Sequence, residues 1–222
     1  MTSHEPGRGG GPGQPSGGEN DRSDPAGLLA HPDVAHLARE LVARPGALAD
    51  AGADVRRAAV ALVLRPDPAG GLDILFIRRA EYPGDPWSGQ VAFPGGRQEP
   101  EDDTLRETAI RETREELALD LLADGLVLGT LDELHPRTPV LPPIVVRPYV
   151  FATYAAAELR PSAEVAAAFW APLDLLRHPD ATFEATVTVR GQELRVPGVR
   201  HLEHVIWGMT ERIFRDFLAR LP

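Results

Sequence analysis

Apolar residues at Val34, Leu37 and Leu41 recur near helical spacing, and the run stops at Pro45-Gly46, so "HPDVAHLARELVARPG" predicts a helix packed on the main body. The pattern then changes to short, nearly continuous apolar runs. "RRAAVALVLRP" and "LDILFIRR", separated by Asp67, Pro68, Gly70 and Gly71, predict strand, turn and strand. "AEYPGDPWSGQ" is a loop by its Pro and Gly content, and "VAFP" a short strand. A helix follows from about Thr104 to Leu117, with Asp102 or Asp103 as N-cap and acidic residues favoured by the dipole at that end. "LVLGTLDEL" and "IVVRPYVFATY" predict strands joined by the proline-rich "HPRTPVLPP". "EVAAAFWAPLDLL" predicts a strand ending at Trp170 and a turn of helix, and "TFEATVTVRGQELRVPG" a hairpin turning at Arg190-Gly191. In the closing "HVIWGMTERIFRDFLARL", residues Ile206, Met209, Ile213, Phe214, Phe217 and Leu221 recur at helical spacing, a stripe that belongs to the core.

The first 27 residues depart from this pattern. They are rich in Gly, Pro, Ser and charge and hold too few apolar groups to offset the entropy of ordering, which predicts a disordered tail over 1–27 before a single domain over 30–222. No signal-peptide core is present there, and no window holds the roughly 18 uninterrupted apolar residues of a membrane span. The expected setting is cytoplasmic. A formal net charge of -10 argues against a phosphate backbone or an anionic membrane as partner. Arginine supplies every cation, because lysine is absent, a bias of coding composition. The absence of cysteine removes disulfides, thiolate metal sites and cysteine nucleophiles, so any metal would sit on oxygen or imidazole.

The candidate chemistry lies in "FPGGRQEPEDDTLRETAIRETREEL". At about 100 degrees per residue, Glu115 lies about 60 degrees to one side of Glu112 and Glu116 about 40 degrees to the other, so the three carboxylates share one helical face. Like charges so spaced destabilise a helix by roughly 0.2–0.5 kcal/mol a pair. A divalent cation reverses that sign, and hard Mg²⁺ or Mn²⁺ prefers oxygen ligands. The blander alternative is a solvent ion-pair ladder of Glu107, Arg111 and Glu115, four residues apart. Gly95-Gly96 upstream serves equally for backbone approach to a phosphate or for a tight turn.

The whole pattern resembles the Nudix box, G-x5-E-x7-R-E-U-x-E-E-x-G-U with U a bulky aliphatic. Arg111-Glu112 and Glu115-Glu116 match, as does Leu119, while Thr113 stands for the first aliphatic and Ala118 for the glycine. Gly96 to Arg111 is one step longer than the general pattern, and Asp102 takes the early acidic position. In this lengthening the stretch resembles the coenzyme A pyrophosphatase branch, F-P-G-G-x-x-D-x-x-D-x(5)-T-A-x-R-E, through Phe93, Pro94, Gly95, Gly96, Asp102, Thr108, Ala109, Arg111 and Glu112, with Glu99 for the first Asp. Upstream, Arg79-Ala80 and Gly89 match that branch, the intervening loop is one residue longer, and Gly84 or Asp85 stands where a second Arg is usual. The closing "IWGMT" is also similar to the branch.

The resemblance implies an α/β (α+β) fold, an α/β/α sandwich around a mixed β-sheet. It implies metal-dependent hydrolysis of a phosphoanhydride in a nucleoside diphosphate derivative, with coenzyme A or acyl-CoA giving 3',5'-ADP and (acyl-)4'-phosphopantetheine. The alternatives are ADP-ribose, dinucleotide polyphosphates or nucleoside triphosphates as substrate, and, from another class, a non-catalytic nucleotide-sensing module, which is expected to lack the three carboxylates kept here. Mg²⁺ or Mn²⁺ would sit on Glu112, Glu115, Glu116 and the backbone carbonyl of Gly96. Arg111 would orient a glutamate, by its i,i+4 spacing to Glu115 and by the family's usual role for this arginine. The general base is one of the three glutamates or an acidic residue on a later loop. Arg78, Arg79 and Arg137 are candidates for substrate phosphate, because bidentate guanidinium suits that group. His135 and Trp87 sit in loops where an aromatic ring either lines a pocket or anchors the loop. The partner implied is a small-molecule nucleotide; oligomeric state is not encoded legibly.

Overall fold

The computed structural model describes residues 25–222 apart from 53, 68, 85–86, 137–142, 155–158 and 190; residues 1–24, Asp85, Arg137 and Arg190 therefore lie outside the described residues. The described residues open on a helical turn, α1 (Pro25–Leu28), and Leu28 is buried.

The helix α2 (Pro32–Ala43) forms as its spacing predicts and buries Val34, Leu37 and Leu41. Strands β1 (Arg56–Pro66) and β2 (Leu72–Arg79) pair antiparallel across the Asp67–Gly71 turn. They belong to a seven-stranded sheet with β3 (Val91–Ala92), β4 (Gly95–Arg97), β5 (Gly125–Thr130), β6 (Ile144–Thr153) and β7 (Val165–Pro172). Its order is β3-β2-β1-β6-β5, with β4 on β1 and β7 on β2, and β6 runs parallel to β1. The sheet is mixed, as expected.

Both faces of this sheet are covered, which explains the continuous apolar runs. Leu62, Leu64, Ile74 and Phe76 point into a cluster with α2 and the terminal helix α5 (Gly208–Leu218). Ala61, Val63, Leu75 and Ile77 alternate to the other face, where α3 (Leu105–Leu117) lays Leu105, Ala109, Ile110 and Leu117 on them.

The start of α3 differs from expectation. Its N-cap is Thr104, not Asp102 or Asp103, in a capping box with Glu107: Glu107 N donates to Thr104 Oγ1 at 3.3 Å and Thr104 N to Glu107 Oε2 at 2.9 Å. Asp102 is engaged elsewhere, as described below. At the far end Ala118 is left-handed, φ 55 and ψ 25, in the slot where the resembled pattern has glycine.

A second, three-stranded antiparallel sheet of order β10-β9-β8 follows a short helix, α4 (Leu173–Arg177). Its β8 (Thr182–Val189) and β9 (Gln192–His201) form the predicted hairpin, with Gly191 at φ 78 in the turn. The closing helix begins later than its spacing predicts, because His204–Trp207 is the strand β10, paired to β9. Val205 and Ile206 are β-branched and suit the strand, and Gly208 at φ 68 permits the sharp change into α5. The stripe is core in either form: Ile206, Ile213, Phe214 and Phe217 are buried, and Phe214 meets Phe76 edge-on at 6.0 Å between centroids. Among the described residues no helix is long and apolar enough to cross a membrane.

The left-handed Ala118 makes a sharp test of the helix end. Replacing it by glycine removes the Cβ strain, so A118G is expected to stabilise the protein by about 1 kcal/mol in urea unfolding.

Candidate active site

The two glycines before α3 form a strand, not the turn their composition equally allowed. Gly95 and Gly96 pair with Val60 and Ala59 of β1. At Gly95, with φ 150, a Cβ would lie 2.7 Å from the Val60 Cα; at Gly96 it would collide with the Glu112 carboxylate. Missing side chains therefore let β4 lie flat on β1 and let the helix approach β4 closely.

Glu112, Glu115 and Glu116 then line one edge of α3, at graded depth. Glu116 is buried, Glu112 is half-buried, and the Glu115 side chain is 56% exposed. Glu116 Oε2 accepts from Gly95 N at 2.9 Å. Burial pushes its pKa up to about 8, although the Gly95 N–H bond works in the opposite direction; the Glu112 charge adds to the rise, and the Arg79 charge opposes it. Burial also raises Glu112, partly offset by Arg111.

Arg111 organises the row. Its Nε and Nη2 donate to Asp102 Oδ1 and Oδ2 at 3.0 and 2.9 Å, and Nη2 also to the Arg97 carbonyl at 3.0 Å. Nη1 donates to Glu112 Oε1 and Glu115 Oε2, both at 3.1 Å. All five N–H donors of a guanidinium are thereby matched. Asp102 accepts further bonds from Glu99 N at 3.0 Å and Thr108 Oγ1 at 2.9 Å. The Arg111 bond, against the effect of burial, holds the Asp102 carboxyl down at about 2. Bonding to Asp102 in turn raises the Arg111 pKa further above its ordinary range.

Of the other residues singled out in the sequence, Arg79 ends β2 on the α3 side of the sheet, where its charge acts on Glu116. Arg78 follows Phe76 in strand alternation and so faces the other side. Arg137 lies outside the described residues. Trp87 and His135 are half-exposed loop residues. Sequence reasoning did not single out Glu164. Its charge acts on both Glu112 and Glu116, and it lies in the turn before β7, whose Ser162 N donates to the Glu116 carbonyl at 2.8 Å. No spacing signal ties it to the motif helix, since it arrives through the fold.

The NUDIX domain family matches over residues 55–190, more than half of the chain. The chain belongs to that family. It is 34% identical over 170 residues to the Nudix hydrolase NudL of Yersinia pestis (strain Pestoides F), covering 75% of this chain and 80% of that protein. NudL of Yersinia pseudotuberculosis serotype O:1b (strain IP 31758) matches to the same degree, 34% over 170 residues. Among solved structures, a MutT/nudix family protein from Enterococcus faecalis superposes with a TM-score of 0.50 at 17% identity, covering 77% of this chain and 64% of that one, a likeness of fold. Nudix hydrolases act on nucleotide-derived small molecules and generally use divalent ions such as Mg²⁺ or Mn²⁺.

The donor set fits such an ion. It consists of carboxylate oxygens and peptide carbonyls, hard ligands without sulfur, and includes one buried carboxylate whose charged form needs a cation nearby. Among the described residues no three acidic or imidazole groups yet converge on one point. Glu112 and Glu115 are instead turned to Arg111, and exposed Glu115 can swing at little cost.

A folded-state pKa above the usual 4.5 stabilises the fold fully below pH 4.5, and that contribution is lost as pH rises through about 8. Without metal, Glu116 should therefore lower the thermal midpoint between pH 6 and 8.5, and added Mg²⁺ should restore more at pH 8.5 than at pH 6. Thermal melts of wild type against E116Q check both effects, which the substitution should largely abolish.

Proposed function

We propose that this Nudix protein is a metal-dependent pyrophosphohydrolase whose substrate is coenzyme A or acyl-CoA. The observation that carries the reading is the carboxylate row Glu116, Glu112 and Glu115, held by Arg111 against Gly95-Gly96. The coenzyme A assignment is supported by the F-P-G-G, Asp102, Thr108-Ala109 and Arg111-Glu112 wording. The structure gives that wording physical sense, since Thr108 and Arg111 are the side chains that grip Asp102. We assign residues 30–222 to one catalytic domain and place it in the cytoplasm.

In this reading Glu112, Glu115, Glu116 and the Gly96 carbonyl hold Mg²⁺ or Mn²⁺. The bound ion supplies charge neutralisation on the bridging phosphates and lowers the pKa of the attacking water. Arg111 keeps Glu112 and Glu115 in register with the loop through Asp102 and stays off the substrate. Arg79, on the helix side of the sheet, faces the phosphates; Arg137 is a second candidate, and Arg78, on the opposite side, would act only through the strand. Glu164 takes the proton from water as its oxygen attacks phosphorus. The P–O–P bridge breaks, and the leaving phosphate departs as 4'-phosphopantetheine or 3',5'-ADP, according to which phosphorus is attacked.

The test is incubation of purified protein with coenzyme A, ADP-ribose, diadenosine polyphosphates and nucleoside triphosphates, in Mg²⁺ and in Mn²⁺, with products identified by mass. Metal-dependent release of 3',5'-ADP and 4'-phosphopantetheine, abolished by EDTA and reduced at least about 100-fold in E115Q and in E164Q, is the expected result. Turnover of another panel member alone would remove coenzyme A and keep the chemistry. Binding without turnover would make the protein a nucleotide sensor.

A further inference from the structure

We propose that Tyr82 is a positioning residue whose phenol fixes the loop that carries Glu164. This rests on the reading of Glu164 as the general base.

The 159–164 segment is fastened from two directions. On the helix side, Arg160 N and Ser162 N donate to the carbonyls of Leu117 and Glu116 at 2.9 and 2.8 Å, the last-turn acceptors that a helix leaves unmatched. On the sheet side, Ala80 N donates to the Glu164 carbonyl at 2.8 Å. These are backbone bonds, indifferent to sequence. Tyr82 adds a side chain to the clasp: its hydroxyl donates to the Ala163 carbonyl at 3.0 Å, one peptide before Glu164. Its own backbone is pinned by Tyr82 N to Ser88 Oγ at 2.9 Å, which draws together the two ends of the 82–88 loop. The loop following Arg79 and the loop bearing Glu164 are thus joined at the peptide that sets the direction of the Glu164 side chain.

Tyr82 is 47% exposed, so removing its hydroxyl leaves no core cavity. What changes is the freedom of the 163–164 peptide. Small misplacement of a reacting group lowers the rate without weakening binding in proportion. Loss of the hydroxyl should therefore reduce kcat and leave KM nearly alone, whereas a merely structural tie would affect neither at a temperature well below unfolding.

A double-mutant cycle of Y82F and E164Q separates the possibilities, read with coenzyme A or whichever nucleotide of the panel is turned over. Y82F is expected to lower kcat roughly fivefold, the size of one hydrogen bond, with KM within about twofold, and to add nothing in the E164Q background. An equal fall in both backgrounds would overturn the proposal and leave the base assignment standing. Parent kcat in E164Q would overturn both, and parent kcat in Y82F would overturn the proposal alone. A readout independent of turnover is amide exchange: faster exchange at residues 162–165 in Y82F supports the clasp, and unchanged exchange sinks it.

Discussion

A guanidinium has five N–H donors in a fixed plane, and the candidate site depends on all five of Arg111 being matched at once. Three hold what precedes the helix, through both oxygens of Asp102 in the loop and the carbonyl of Arg97 at the end of β4; two hold the helix's own carboxylates. The planarity of the group turns these bonds into a geometric constraint, because the β4–α3 loop and the carboxylate edge of α3 cannot move independently while the plane is kept. Lysine, a point charge with rotatable donors, would keep the attraction and lose the constraint. Asp102 is the matching half. It is buried and bonded to Glu99 N and Thr108 Oγ1 as well, so the loop wraps its carboxylate and Arg111 closes it.

Against this rigid frame, Glu116 is the strained member. A carboxyl taken out of water beside Glu112 resists ionisation, yet the Gly95 N–H and the Arg79 charge favour the ionised form. The two glycines make that position possible, since any side chain at Gly96 would displace the Glu112 carboxylate and any at Gly95 would push β4 off β1. Exposed Glu115 completes a row that runs from buried to solvent. Such a row combines one firmly placed carboxylate with one adaptable one, a combination that a uniformly exposed ladder lacks. The solvent-ladder alternative holds at its Arg111–Glu115 rung, formed at 3.1 Å, but Glu107 is taken by the capping box with Thr104, and Glu116 and Glu112 are withdrawn from solvent.

Much of this was legible in the sequence because it is local. Short, nearly continuous apolar runs marked β1, β2 and β6, and the 3.6-residue stripe marked α2 and most of α5. Where the reading slipped, a longer-range partner had taken the residue. Asp102 looked like a helix cap, the usual task of an aspartate before a helix, but Arg111 nine residues on and Thr108 six residues on claimed it, and Thr104 capped instead. His204–Trp207 looked like the first turn of a helix until β9 offered it a strand partner. Arg78 and Arg79 were both candidates for phosphate in the sequence, and the parity of β2 places them on opposite faces. Thr113, in the slot of an aliphatic residue, is fully buried with its hydroxyl donating to the Ala109 carbonyl at 2.7 Å, so the helix accepts it as a core residue.

Glu164 was out of reach for a different reason: its approach is set by the crossover that brings β7 antiparallel onto β2. That crossover divides labour in the site. The motif helix and β4 are locked by short-range bonds and leave little to vary, so they suit a reaction common to many substrates. The loops after Arg79 and before β7 are joined to the helix end through Ser162 and to each other through Tyr82. The first of these loops is one residue longer than the pattern it resembles, and its ends are held at Ala80, Tyr82 and Ser88. Variation within those two loops therefore leaves the carboxylate row on its own frame of Gly95, Asp102 and Arg111.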